Sequence, residues 1–68
     1  MSNHVFKHIE IVGTSNQSIE HAISGAIEKA SKTLRNIEWF EVLSTRGKVE
    51  NGKVAEYQVI MKIGIKLE

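Results

Sequence analysis

The side chains of this 68-residue chain that could bind or transform a ligand are few. Trp39 is its one tryptophan, and an indole offers a flat, polarisable surface on which an aromatic ring stacks with on the order of 1 kcal/mol beyond simple burial. Gln58 carries an amide that both donates and accepts, which complements a heterocycle edge bearing adjacent N–H and C=O groups. Arg46, Lys62 and Lys66 could neutralise a phosphate, although basic side chains on a strand more often serve solubility. No catalytic constellation accompanies them. The chain has no cysteine, no glycine-rich loop leading from strand to helix, no Ser-His-acid set and no helical metal-ligand motif. The expectation is a protein that holds a planar heterocycle and is not an enzyme.

Three histidines raise the question of a metal. His4 and His8 fall on one predicted strand about 13 Å apart at the usual rise, too far to share one ion, and His21 falls on a helix. No metal site is expected within one chain, although copies of one histidine could meet on a symmetry axis. Glu38 and Glu41, beside Trp39, read as solvated carboxylates.

The elements that must position these residues follow from periodicity. Residues 4–13 alternate, with Val5, Ile9 and Ile11 on one side and His4, Phe6, His8 and Glu10 on the other, which predicts a strand ended by Gly13. Polar residues 14–18 supply a helix start, either Thr14 with Gln17 three residues on or Ser18 with Glu20 in the first turn. Ile19, Ala22, Ile23, Ala26, Ile27, Ala30 and Leu34 repeat as one helical stripe. Lys32 and Arg35 suit the negative end of the helix, and Asn36 is its expected stop. Two strands follow, residues 37–49 and 53–67, joined at Asn51-Gly52, a pair suited to a type I′ turn.

The predicted fold is α+β in the order β-α-β-β: one domain over residues 1–68, with a three-stranded antiparallel sheet and one helix on one face. The odd positions of the last strand, from Ala55 to Leu67, are expected to face the helix. Phe40 and Val42 should point the same way, leaving Trp39, Glu41 and Leu43 on the far face with Phe6 and Ile60. A bulge or a different register would instead turn Trp39 into the core. So apolar an uncovered face must meet a ligand or another subunit.

With 41% hydrophobic and 25% charged residues the chain should fold, since disorder needs lower hydrophobicity and higher net charge. Domains of this size rarely gain more than about 3–5 kcal/mol from one core. Without cysteine, oligomerisation is the expected reinforcement. A net charge of +1 gives no reason to expect nucleic acid or an anionic membrane. The rivals from other classes are a sheet-face nucleic-acid binder, using Trp39 and Phe6 with Lys62 and Lys66, and a structural shell in which Trp39 only seals an interface. Met1 to Lys7 lacks the basic start and apolar run of a signal peptide, and no stretch approaches about 18 apolar residues. A cytoplasmic protein with no membrane partner is expected.

Read together, the segments VFKHIEIVGTS, SIEHAISGAIEKASKTLRNIEWFEV and TRGKVENGKVAEYQVIMKIGIKLE resemble the dodecin family along essentially the whole chain. The telling pieces are Val-Gly-Thr-Ser at residues 12–15, Trp-Phe-Glu-Val at 39–42, Arg46-Gly47 and Tyr57-Gln58-Val59. The resemblance implies a sheet partly wrapped around its helix and an assembly of twelve copies into a hollow sphere. It also implies flavins bound in antiparallel pairs at subunit interfaces, sandwiched by tryptophans and read at the ring edge by a glutamine. Trp39 and Gln58 match those two residues.

Bacterial members favour FMN and carry two arginines near its phosphate or ring. Arg46 matches the first. At the second, where many members read Gly-Phe-Arg-Leu, this chain has Gly64-Ile65-Lys66-Leu67, so a point-charge ammonium replaces a bidentate guanidinium. The implied function is flavin storage and sequestration, with FMN or riboflavin as the ligand and tryptophan quenching limiting its photochemistry. Some members also bind coenzyme A, a candidate second partner here with no residues assigned.

Overall fold

Strand β1 (Phe6–Ser15), helix α1 (Ile19–Ala30) and strands β2 (Ile37–Glu50) and β3 (Lys53–Lys66) follow one another in that order. The computed structural model describes residues 3–68, so Met1 and Ser2 of the amino-terminal stretch read above lie outside the described residues. The sheet order is β1-β3-β2, and β3 pairs antiparallel with both neighbours. The expected β-α-β-β fold is present, with the Gln58 strand in the middle.

Helix α1 begins where Ser18 caps it: the hydroxyl accepts from the His21 backbone N–H at 3.0 Å, satisfying one of the amides that a helix start leaves unpaired. Of the two predicted starts, Ser18 is the cap, and Thr14 belongs to β1 instead. The helix is shorter than its apolar stripe suggested. It ends at Ala30, and the chain turns through Ser31 to Thr33, with the Leu34 N–H still reaching the Ala30 carbonyl at 2.8 Å. Asn36 then adopts a left-handed φ of 65°, a conformation asparagine tolerates better than most residues, and the chain enters β2.

Gly13 does not end β1, which continues to Ser15. A Cβ at Gly13 would overlap the Ala22 carbonyl oxygen and crowd the Ala26 side chain. This glycine is there to let the helix backbone approach the strand. At the hairpin tip Asn51 and Gly52 have φ of 53° and 74°, the two positive values a type I′ turn requires.

The core lies between α1 and the inward side of β3. Ala22, Val59 and Met61 are buried together, with Ile11, Ile23, Ala26 and Ile27 packed around them, and Ile63 and Ile65 are buried further along β3. The helix rests on β1 and β3. Phe40 and Val42 stand opposite Ile63 and Met61, so they have the predicted orientation, but they remain 48% and 40% exposed. A helix about 10 Å wide spans two strands spaced about 4.8 Å apart, which leaves the third without cover.

Candidate functional site

The face of the sheet turned away from the helix collects most of the residues singled out in the sequence; Leu43, expected there, is instead the extra residue of an irregularity between Val42 and Ser44, and Ser44 takes the place opposite Ile60. Register with the even positions of β3 places Phe6, His8, Glu10, Val12 and Thr14 of β1 on it. From β2 it receives Trp39, Glu41, Ser44 and Arg46.

A β-bulge decides the side on which Trp39 falls. Ile37 pairs with Ile65, but the next pairing is Trp39 with Gly64, with one residue extra on β2. Uninterrupted alternation from Ile37 would have set Trp39 opposite Ile63, on the core side. The inserted residue flips it outward. The predicted outward tryptophan is therefore present, and a bulge, the feature expected to bury it, is what exposes it.

Gly64 then acts as a seat. It lies on the central strand, opposite Trp39 on one side and His8 on the other, and a Cβ there would overlap the Cδ2, Cε2 and Cζ2 atoms of the indole. With no side chain in the way, the ring lies across the central strand and reaches β1. There it meets Phe6, centroids 4.7 Å apart and tilted by 58°, and His8, 5.8 Å away and edge-on at 89°. Trp39 remains 39% exposed. The result is a backed aromatic shelf open to a further planar ring.

At the other end of the same face Gln58 is held by two hydrogen bonds. Its Oε1 accepts from the Arg46 Nε at 2.8 Å, and its Nε2 donates to the Glu56 Oε1 at 2.8 Å. These bonds fix which way the amide points and leave one N–H and one acceptor lone pair for a ligand. The Arg46 Nη atoms are not used in this chain of contacts. Glu56 shares the polar side of β3 with Gln58, as its i−2 spacing predicts, but its bond to the amide was not foreseen in the sequence. Lys66 stands opposite Phe6, at the Trp39 end.

Arg46 and Gln58 are thus brought together, and Lys66 lies near Trp39, but the two groups are apart. Gly64 and Gln58 are six positions apart on β3, about 20 Å at the usual strand rise. One planar heterocycle cannot touch the indole and the amide of the same chain. Among the described residues no group of three or more His, Asp or Glu side chains is placed to hold a metal ion. No helix among them is long and apolar enough to cross a membrane.

A family model of dodecins matches residues 5–68. The chain belongs to the dodecin family. It is 47% identical over 64 residues to the dodecin of Thermus thermophilus, covering 94% of this chain and 93% of that one. Its fold superposes on the dodecin of Streptomyces coelicolor with a TM-score of 0.94 at 47% identity, over 100% of this chain and 97% of the other. The more distant calcium dodecin of Mycobacterium tuberculosis, described as a calcium-chelating antigen, matches with a TM-score of 0.81 at 29% identity, over 94% and 91% of the two chains. The seat formed by Gly64, the shelf and the Arg46–Gln58–Glu56 chain of contacts are accordingly features of a dodecin subunit.

Proposed function

We propose that this protein stores and sequesters flavin, FMN or riboflavin, as a hollow homododecamer and without turnover. The observation that carries the reading is the Trp39 shelf: an indole seated on glycine, backed by Phe6 and His8, and left 39% exposed. A bound flavin supplies a planar, electron-accepting ring that absorbs visible light. Trp39 is the stacking surface and the electron donor that quenches it. Gln58 reads the ring edge with the N–H and lone pair left free by its intrachain bonds, and Arg46 with Lys66 serves the phosphate.

The 20 Å between shelf and amide supports a site shared by subunits, with Trp39 from one copy and Gln58 from another. The subunit's shape supports assembly as well. Its extents are 57 × 21 × 13 Å and its radius of gyration is 14.3 Å, where a compact chain of this length would have about 11 Å. Its surface of 5190 Å² exceeds by about 900 Å² that of a folded monomer of this mass. Phe40, Val42, Leu43, Val49 and Val54 are among the large apolar residues it exposes.

The test is titration of ligand-stripped protein into dilute FMN while flavin emission is followed, with native mass spectrometry of the particle. Quenching that saturates at one flavin per subunit is expected, on a particle of about 91 kDa, twelve times the 7.6 kDa chain. Trp39→Ala should abolish most of both quenching and affinity. A large particle that leaves FMN and riboflavin fluorescent would instead assign Trp39 to assembly alone and make the protein a structural shell.

A further inference from the structure

Histidine 8 stands out among the groups on the outer face. Its imidazole meets the Trp39 indole edge-on at 5.8 Å. The contact is made possible by Gly64, which separates the two in the register and contributes no side chain. Histidine is the side chain whose charge changes across the neutral range, and a positive charge this close to an indole acts on its π electrons. The ring that backs the shelf is therefore one whose charge can be switched by protons.

We infer that His8 is a proton-sensitive positioning residue for Trp39, weakening the shelf's hold on an electron-poor planar ring as the pH falls. The inference rests on the flavin reading above. Neutral His8 packs as an aromatic edge and leaves the indole electron-rich. A positive charge on His8, 5.8 Å from the indole centroid, holds the π electrons of Trp39 more tightly, so the indole donates less to a ring stacked on it. The charged and titratable groups at the Trp39 end of this face are Glu10 on β1, His4 just before β1 and in edge contact with Phe6, Lys62 and Lys66 on β3 on either side of Gly64, and Glu41 on β2, with Arg46 and Glu56 farther along at Gln58. His8 itself meets the indole ring directly, whereas His4 contacts Phe6, so His8 is the direct switch.

Two measurements test this on the assembled protein. In ligand-free protein the single tryptophan reports its own surroundings, and its emission should fall as the pH is lowered from about 8 to about 5.5, because an imidazolium quenches an adjacent indole. The fall should vanish in His8→Phe, which keeps an aromatic ring at the contact without a proton to gain, and in His8→Gln, but persist in His4→Gln. Riboflavin, which lacks a phosphate, should bind about three-fold more weakly at the lower pH in the wild type, the scale of an exposed cation–π contact, and equally at both in His8→Phe. An unchanged pH profile in His8→Phe would overturn the inference, as would a flat emission profile in the wild type. If riboflavin fails to bind at any pH while the emission change tracks His8, the flavin reading fails and the coupling of His8 to Trp39 stands.

Discussion

Replacing Gly64 by alanine tests the seat under the indole without touching the indole itself. The new Cβ would overlap three ring carbons of Trp39, so the ring must lift from the central strand. With 39% of Trp39 exposed, roughly 150 Å² of it is now covered. Lifting the ring re-exposes about half of that, a loss of about 2 kcal/mol at ~25 cal/mol per Å². Removing a strand glycine returns about 0.5–1 kcal/mol by restricting the unfolded chain, so the net destabilisation is about 1–1.5 kcal/mol. The fold should survive, because Gly64 faces away from the Val59–Met61 core. Tryptophan emission should shift to the red, urea unfolding should move to lower concentration, and flavin titration should show affinity lost by more than tenfold. Wild-type emission together with wild-type FMN affinity would refute the seat, since no indole can occupy its present position over an alanine.

Three further outcomes follow from the same face. Arg46→Ala releases the Gln58 Oε1 and should weaken FMN about three- to ten-fold, on the scale of one hydrogen bond of about 1 kcal/mol, with riboflavin less affected; parallel fluorescence titrations with the two ligands check this. Lys66→Arg restores a planar fork at the Trp39 end and should raise FMN affinity relative to riboflavin a few-fold, whereas an unchanged ratio places Lys66 away from the phosphate. Phe40→Asp puts a charge on the uncovered side of β2 and should yield dissociated subunits in size-exclusion chromatography; those subunits should not quench FMN, although Trp39 and Gln58 are both intact.

How much of this was legible in the sequence depends on which interaction decides each feature. The helix stripe, the odd apolar positions of β3 and the Asn51-Gly52 turn were readable because each is a local pattern with a short period. The end of α1 was not, since Leu34 continues the stripe while the chain has already left the helix in a turn. Nor was the role of Gly13, because a glycine that ends a strand and one that admits a helix look alike until the helix is in place. The outward side of Trp39 was expected from Phe40 and Val42, but its cause, an inserted residue between Ile37 and Trp39, leaves no mark on a two-residue alternation. The Arg46–Gln58 bond depends on register across β2 and β3, which the turn and the bulges set jointly. The sequence carried both residues without their pairing. It also carried the orientation of Phe40 and Val42 but not their exposure, which follows from the width of one helix over three strands.

The last of these points bears most directly on function. A strand whose helix-side residues are uncovered and whose outer face carries Trp39 has no side suited to water alone, so burying β2 against another copy would stabilise the sheet and, under the proposed reading, supply the missing part of the site together. Shelf and amide lie about 20 Å apart along β3 in a narrow, 57 Å long subunit. In the proposed site a ring stacked on Trp39 meets the Gln58 of a different chain, and binding free energy there would also be association free energy. Flavin should accordingly stabilise the particle in proportion to RT ln(1 + [L]/Kd), raising its Tm most for the flavin it holds most tightly. This links ligand preference, which the fold alone does not set, to a measurement on the whole assembly.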